Sequence, residues 1–291
     1  MSNLIPKRIV QTGKSRDLPL LQRAVVTNVQ LLHPEFEYCF YDDQQVAQFM
    51  AAEPREHAET FATLPCPIQK IDFFRYLAIY RDGGFYLDLD VLLATKLDPL
   101  LATSCVFSFE DLNISHYLRG ELGFDWAIGN YAFGAAPGHP FLKAIIANCV
   151  RAQRDPDWGE PMLRDIPRWF QPEFRILSTT GPLLVSRTLA ENPGLAETLT
   201  ILFPDDVCDP RNRHRFGDYG VHLMQASWRA PYGRLRRILA GLWEARAHQQ
   251  CERQNRQPDR RRPWFANRPK PAIRPSPLYA PGQCHYSDLQ S

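Results

Sequence analysis

The segment that most constrains this chain is residues 83–91, where two glycines and two aspartates interrupt an apolar run. Asp88 and Asp90 are one residue apart, and positions i and i+2 of a β-strand point to the same face. Two carboxylates on one face of an apolar strand are costly to bury unless a cation or strong hydrogen-bond donors compensate them. Carboxylate oxygens suit Mg²⁺ and Mn²⁺. We therefore expect a divalent metal site here. The alternative is an edge strand with both acids in solvent.

A helix predicted over residues 68–80 leads through the two glycines directly into this strand. Asp72 and Arg75 are three residues apart and share a face of that helix. An exposed ion pair at this spacing contributes little, and it is the simplest interpretation. However, the neighbouring residues are apolar almost all round, which predicts a buried helix. A buried aspartate and arginine near a metal would bind hydroxyl and phosphate groups, because the arginine fork holds two oxygens at once.

Predicted helices alternate with short strands along the chain, which indicates a mostly parallel α/β sheet. The 291 residues, 44% of them hydrophobic, suffice for one large domain or two small ones. Strands are predicted at residues 5–11, 36–41, 88–90, 106–109, 127–133 and 201–203. Helices are predicted at residues 20–32, 43–50, 68–80, 141–151, 158–163 and 181–189.

Composition narrows the class of protein. A net charge of +2 gives no case for binding nucleic acid. The seven cysteines are an odd number and contain no CxxC pair, which favours a reducing compartment over a disulfide framework or a zinc site. The sequence shows no signal-peptide pattern and no apolar run near the roughly 20 residues that span a bilayer. We therefore expect a cytoplasmic protein.

The C-terminal part has a different composition from the rest. Residues 233–256 are predicted to form an amphipathic helix, and residues 257–291 are basic and rich in proline. Arginines flank the apolar stripe of the helix, which suggests a peripheral contact with the inner face of a membrane. The alternative is a packed or solvated helix followed by a tail outside the core. The chain thus divides into residues 1–232, 233–256 and 257–291.

The string from Asp72 to Asp90 resembles the sugar-binding DxD region of glycosyltransferase family 32, which includes yeast initiating mannosyltransferases and bacterial polysaccharide enzymes. Residues 5–12 resemble the first nucleotide-binding strand of that family, with Val10 and Gly13 where histidine and tryptophan are common. Segments within residues 129–141, 180–182 and 219–228 also fit. The resemblance covers residues 5–228. It implies that residues 1–232 form a catalytic domain with the GT-A nucleotide-diphospho-sugar transferase fold, an α/β fold with a mostly parallel sheet flanked by helices.

The resemblance also implies a metal site. Asp90 would bind Mn²⁺ or Mg²⁺ directly, and Asp88 would bind the donor ribose and support the metal. His222 resembles the late third ligand to the metal or the diphosphate. A hydrogen-bonded structural histidine is the alternative at that position.

Further residues are assigned to the donor by the same resemblance. Asp72 and Arg75 would hold the hydroxyl groups of the donor sugar, Tyr86 would line the donor pocket, and Asn130 would face the reaction centre. A loop-capping role is the alternative for Asn130.

The nucleotide and its diphosphate would meet residues from both ends of the domain. Gln11 and Thr12 would contact the nucleotide, mainly through their backbone. Ser227 and Trp228 would close over the diphosphate, although Trp228 is equally compatible with a place in the core.

Taken together, the resemblance implies a metal-dependent, retaining hexosyltransferase that uses a UDP- or GDP-linked sugar. The acceptor would be a saccharide or a lipid-linked glycan, in surface polysaccharide synthesis. A phosphatase of the haloacid dehalogenase type is an alternative, with Asp88 and Asp90 as its first motif and residues 205–206 as its later acids. That alternative gives no role to Asp72 or Arg75. A binding protein that keeps the fold without turnover is a third hypothesis.

Overall fold

The computed structural model describes residues 4–204, 207, 209–225 and 234–255 of the chain. Its strands, in chain order, are β1 (Arg8–Thr12), β2 (Glu37–Tyr41), β3 (Gly84–Leu87), β4 (Val91–Leu93), β5 (Cys105–Leu112), β6 (Trp126–Ala135), β7 (Thr200–Leu202), β8 (Arg215–Phe216) and β9 (Gly220–His222).

The α-helices of the same residues flank these strands. In chain order they are α1 (Leu20–Leu32), α2 (Asp43–Ala51), α3 (Arg55–Thr63), α4 (Pro67–Asp82), α5 (Pro140–Arg154), α6 (Pro156–Gly159), α7 (Gln171–Thr179), α8 (Pro182–Glu191) and α9 (Arg234–Asn255).

The strands form two sheets. The larger has the order β2-β1-β3-β6-β5-β7, and β6 pairs antiparallel with both β3 and β5. The other pairings are parallel, so the remaining strands of this sheet point one way. A small antiparallel sheet has the order β4-β9-β8. The predicted α/β fold with a mostly parallel central sheet flanked by helices is confirmed. Its assignment to the GT-A type stays a prediction.

Helix α4 lies at the centre of the molecule and is buried on nearly all sides, as its sequence predicts. Pro67 occupies the first turn, where its missing N–H costs nothing. The helix ends at Gly83, whose φ of 70° is one that glycine adopts without strain. Gly84 follows with a φ of 103°, and a Cβ there would lie 2.6 Å from the backbone oxygen of Arg8. These two glycines therefore let the chain turn sharply and bring β3 against β1.

The predicted strand over residues 88–90 is wrong. Strand β3 ends at Leu87, β4 begins at Val91, and the residues between them form a turn closed by a hydrogen bond from the Val91 amide to the Asp88 carbonyl oxygen, at 3.0 Å. Aspartate is depleted in strands and common in turns, because its side chain competes for backbone hydrogen bonds. The turn still places Asp88 and Asp90 close together.

Other differences concern short or weakly patterned segments. The helix predicted over residues 158–163 is a single turn, α6, followed by a 3₁₀ turn at Glu160–Leu163. Helices α3 and α7 and the strands of the small sheet were not predicted. Strands of two or three residues are too short to show a periodicity.

Helix α9 packs against the rest of the described domain. Ala240 and Cys251 are buried, and the Trp243 ring meets the edge of Phe170 with centroids 5.2 Å apart. The Nε2 atom of His248 lies 3.2 Å from a carboxylate oxygen of Asp111. None of the described helices is long and apolar enough to cross a bilayer. Residues 257–291 lie outside the described part of the chain.

Candidate active site

Asp88, Asp90 and His222 meet where β3 ends. One potential ligand atom from each residue lies within 4.8 Å of the others, and the group is the one set of three or more such side chains found among the described residues. The antiparallel pairing of β4 with β9 sets Val91 opposite His222. This pairing brings His222 Nε2 to 3.2 Å from a carboxylate oxygen of Asp90. Three of the residues predicted from the sequence are therefore assembled by the fold.

The segment after β9 folds over Asp90. The Leu223 amide donates to the Asp90 carbonyl oxygen at 2.8 Å, and the Gln225 amide donates to the Asp90 carboxylate at 3.0 Å. Between them Met224 has a φ of 53°, an uncommon value for a residue with a side chain. Strained backbone of this kind persists where surrounding contacts over-determine it, as at ligand sites.

The electrostatics of the cluster suit a cation. Burial acts to raise the pKa of Asp90, but hydrogen bonds from His222 and the Gln225 amide outweigh it, and the pKa falls below its usual value. Burial lowers the pKa of His222, yet Asp90 raises it more, so the net shift is upward. Among the described residues, the Nδ1 atom of His222 is buried without a hydrogen-bond partner. Two carboxylates and an imidazole around one point are a donor set that fits a divalent metal.

Arg75 joins the cluster to a second, buried group. One of its terminal nitrogens lies 3.2 Å from a carboxylate oxygen of Asp72 and 3.2 Å from one of Asp88. The other donates to the Asn130 carbonyl oxygen at 2.8 Å. Burial opposes the charge of Arg75, but the carboxylates of Asp88 and Asp72 raise its pKa above the ordinary value. The guanidinium thus stays charged and orients Asp88 toward the cluster.

Asp72 is the most deeply held acid of the site. Its two carboxylate oxygens accept hydrogen bonds from Thr180 Oγ1 at 2.9 Å and from Asn130 Nδ2 at 3.0 Å. Burial raises its pKa to about 6, although Arg75 and Thr180 act in the opposite direction. Tyr76, one helical turn after Asp72, accepts from the same Asn130 amide at 2.9 Å. The structure therefore brings Asp72, Arg75 and Asn130 together behind Asp88, and their contact with a donor sugar stays a prediction.

The residues assigned to the nucleotide reach the site through side chains. Gln11 Nε2 donates to the Asp88 carbonyl oxygen at 3.3 Å. Thr12 Oγ1 lies 2.9 Å from the Tyr86 hydroxyl, which donates to the Asp88 carboxylate at 2.8 Å. The Arg75 guanidinium lies over the Tyr86 ring, 4.4 Å from its centroid. These contacts fix Asp88 from a third direction, and the expected backbone contacts to a nucleotide stay a prediction.

Two predicted residues, Ser227 and Trp228, lie outside the described residues, as do residues 205–206 of the phosphatase alternative. Other residues of the site were not assigned a role from the sequence. The position of Tyr76 could have been predicted, since it is four residues after Asp72 on the same helix face. Thr180 lies in a segment that fits the family resemblance, but no role was assigned to it. Tyr131 was not singled out, because it approaches the site through contacts between distant parts of the chain.

Residues 21–107 match the family model described as the glycosyltransferase sugar-binding region containing a DXD motif. The matched segment contains α4 and the turn with Asp88 and Asp90. Over these residues the chain is therefore homologous to the sugar-binding region of DXD-type glycosyltransferases.

Among its relatives are named mannosyltransferases of two yeasts. A mannosyl phosphorylinositol ceramide synthase of Saccharomyces cerevisiae is 30% identical over 185 residues, 63% of this chain and 41% of the relative. Inositol phosphoceramide mannosyltransferase 3 of Schizosaccharomyces pombe is 30% identical over 186 residues, 64% of this chain and 45% of the relative. The initiation-specific alpha-1,6-mannosyltransferase of Schizosaccharomyces pombe is 26% identical over 197 residues, 61% of this chain and 46% of the relative. The chain spans less than half the length of each.

Solved structures with a similar chain path include glycosyltransferases. The PaToxG glycosyltransferase has a TM-score of 0.45 and 12% identity, covering 66% of this chain and 72% of its own. The UDP-bound glycosyltransferase domain from the YGT toxin has a TM-score of 0.41 and 8% identity, covering 69% and 80%.

Proposed function

We propose that the chain is a metal-dependent, retaining glycosyltransferase that moves a hexose from a UDP- or GDP-linked donor to a saccharide or lipid-linked acceptor. The observation that carries the proposal is the cluster of Asp88, Asp90 and His222 at the end of a DXD-type sugar-binding region. Mannose is the first hexose to test, because the relatives are named mannosyltransferases. Retention of configuration rests on the family resemblance.

Each residue of the cluster has a distinct task in this proposal. Asp90 and His222, with Asp88, would hold Mn²⁺ or Mg²⁺, which supplies positive charge to the leaving diphosphate. Arg75 and Tyr86 hold the Asp88 carboxylate between them and set its direction. The Gln225 amide holds the second oxygen of Asp90. Because these groups are ordered by the fold, little reorganisation is needed when the charge of the diphosphate develops.

A screen of nucleotide sugars tests the donor. We expect one of UDP-glucose, UDP-galactose, UDP-GlcNAc and GDP-mannose to raise the melting temperature in the presence of Mn²⁺ and to be hydrolysed slowly. A donor at a hundred times its dissociation constant stabilises the folded state by about 2.7 kcal/mol, which is a shift of several degrees. With EDTA the shift should disappear. Release of phosphate from simple phosphate esters, with no response to any donor, would instead favour the phosphatase alternative.

An apolar rim beside the cluster supports a lipid-linked acceptor. Leu92 and Val221 are cross-strand neighbours on the outer face of the small sheet, and both are exposed. Leu223 and Met224, which follow His222, are exposed as well. Exposed apolar side chains in one area mark sites that contact apolar ligands or membranes. Two relatives, named as a mannosyl phosphorylinositol ceramide synthase and an inositol phosphoceramide mannosyltransferase, are consistent with an acceptor of this kind.

Helix α9 supports a related proposal, that the protein makes a peripheral contact with a membrane. Ile238, Leu239 and Leu242 are exposed on it, although other residues of the same helix are buried. Such a helix binds a lipid surface through its apolar side chains and through charge attraction to anionic headgroups. The cytoplasmic location expected from the sequence stays a prediction.

Vesicles that carry a lipid-linked acceptor test both features. We expect faster transfer and stronger co-sedimentation with anionic than with neutral vesicles, because the C-terminal region is basic. The double variant Ile238→Ser/Leu242→Ser should weaken co-sedimentation. Leu31→Ser, which changes a still more exposed leucine on α1, should not. Equal binding to both kinds of vesicle would reject the membrane contact and leave the transferase proposal intact.

A further inference from the structure

The imidazole of His222 rests against an aromatic ring that no part of the proposed reaction uses. Tyr131, on β6, stacks on His222 with ring centroids 4.3 Å apart and an angle of 21° between the ring planes. Tyr131 is 2% exposed, so its ring is fixed by the core. The stack therefore covers one face of the imidazole with a rigid surface, while Nε2 is directed at Asp90.

His214 ties the same histidine to β5. The His222 amide donates to the His214 carbonyl oxygen at 2.9 Å, and the His214 amide donates to the Glu110 carbonyl oxygen at 3.2 Å. The side chains of His214 and Glu110 are also in contact, because His214 Nδ1 lies 3.3 Å from a carboxylate oxygen of Glu110. His214 adopts a φ of 56°, which is uncommon for a residue with a side chain. This conformation is held from both sides by the strands that it joins.

Gly129 leaves the space in which Glu110 and Tyr131 approach each other. A Cβ on Gly129 would lie 2.5 Å from Oε2 of Glu110 and 2.6 Å from the Tyr131 ring. Neither approach is possible for a real side chain, so glycine at this position lets Glu110 and Tyr131 converge. The same Oε2 atom of Glu110 is buried without a hydrogen-bond partner among the described residues, so packing and the contact of Oε1 with His214 fix the carboxylate.

From these contacts we propose that Tyr131, supported by Glu110 and His214, is a positioning residue that holds the His222 imidazole in its metal-binding orientation. The inference rests on the proposed function, because it assigns the group a role only if His222 is a ligand. Metal-binding histidines depend on the groups that orient their rings, and loss of such a group typically weakens metal binding by about 10- to 100-fold. Here the orienting contact is a stacked ring rather than a hydrogen bond. Another member of the cluster, Asp88, is held by its ion pair with Arg75 at 3.2 Å.

Binding of Mn²⁺ to the protein without donor, followed by electron paramagnetic resonance of the free ion, tests the proposal. Tyr131→Leu removes the stack and should raise the dissociation constant of Mn²⁺ at least about tenfold. Tyr131→Phe keeps the ring and should bind Mn²⁺ as the wild type does. Glu110→Gln, which keeps the shape of the side chain but removes its charge, should weaken binding less than Tyr131→Leu. Wild-type affinity in both Tyr131→Leu and Glu110→Gln would overturn the proposal.

A double-mutant cycle separates positioning from general damage to the fold. In a His222→Ala background, Tyr131→Leu should cause no further loss of Mn²⁺ affinity, because the ring that it positions is gone. An undiminished further loss would show that Tyr131 acts elsewhere and would overturn the proposal. Phe36→Leu shortens another buried aromatic of the same hydrophobic cluster and should lower stability without changing Mn²⁺ affinity. A wild-type protein that binds no Mn²⁺ would overturn the metal assignment itself, a result distinct from normal binding by Tyr131→Leu.

Discussion

Replacing Asp90 by asparagine is expected to remove Mn²⁺ binding and to lower glycosyl transfer by at least about 10³-fold while the protein stays folded. The carboxylate carries the charge that faces His222, at 3.2 Å, and in the proposed function it is the direct ligand of the metal. A metal that neutralises the leaving diphosphate contributes several kcal/mol to the transition state, and about 4 kcal/mol corresponds to 10³-fold in rate. Transfer from the nucleotide sugar, measured beside Mn²⁺ titrations, gives both quantities.

The fold should tolerate this change. The amide side chain that replaces the carboxylate would still offer an oxygen to the Gln225 amide, and the site is partly open to solvent, so no buried charge is left uncompensated. Asp17→Asn, which removes an exposed aspartate, is the matched control and should transfer and bind Mn²⁺ normally. A fully active Asp90→Asn protein would refute the assignment of this residue and, with it, the metal site built around Asp90.

Local signals in the sequence sufficed for the elements that build the base of the site. Helix α2 begins where predicted because the Asp42 side chain accepts from the Gln45 amide while the Gln45 side chain returns to the Asp42 amide. Helix α4 begins at Pro67 and ends at Gly83 for reasons that are equally local. Signals of this kind depend on a few neighbouring residues, and they survive in any tertiary context.

The small sheet could not be predicted in the same way. Strands β4, β8 and β9 have two or three residues each, and they exist because distant segments pair with one another. The position of His222 opposite Val91 therefore follows from tertiary structure alone. The resemblance to a known family named His222, whereas the spacing of residues gave no reason to prefer it over the other histidines.

The buried network behind Asp88 shows the same limit. Thr180 donates to Asp72 although the two residues are 108 positions apart, and Asn130 donates to it from 58 positions away. The helix pattern predicted that Asp72 and Arg75 would be buried together, which is confirmed by their low exposure. The helix pattern did not predict that Arg75 would form ion pairs with both Asp72 and Asp88. Asp88 was predicted to lie in a strand, whereas it lies in a turn.

Replacing Arg75 by alanine is expected to destabilise the fold by about 3–5 kcal/mol, the usual cost of removing one partner from a buried ion pair. Arg75 is 2% exposed, and it supports the carboxylates of both Asp72 and Asp88. Without it, the buried Asp72 and the half-buried Asp88 are left with neutral hydrogen-bond donors and the more distant His222. Chemical denaturation at pH 7 measures the loss. Arg75→Lys should fall between wild type and Arg75→Ala, because lysine keeps the charge but not the fork.

Arg81→Ala provides the control on the same helix. Arg81 is 45% exposed and pairs with the partly exposed Asp82 and with the largely buried Glu53, which keeps His57 as a second partner, so its loss should cost no more than about 1 kcal/mol. The double variant Asp72→Asn/Arg75→Met should be more stable than Arg75→Met alone, since one uncompensated charge is removed together with its partner. If Arg75→Ala were no less stable than Arg81→Ala, the carboxylates would have to be protonated or hydrated in the native protein.

The pH dependence of this deficit distinguishes an electrostatic cost from lost packing. An acid whose folded-state pKa exceeds its unfolded value binds more protons when folded, so its contribution to the unfolding free energy falls as pH rises. Asp72 is such an acid in the wild type, because burial raises its pKa from 3.8 to about 6. Loss of Arg75 raises the pKa of Asp72 and of Asp88 further. The deficit of Arg75→Ala should therefore be smallest below the folded-state pKa values of both acids, where the folded protein holds them protonated with or without Arg75. It should grow with rising pH until it levels off above the folded-state pKa values that the acids have in the variant. A deficit that is independent of pH would instead assign the loss to the cavity left by the side chain.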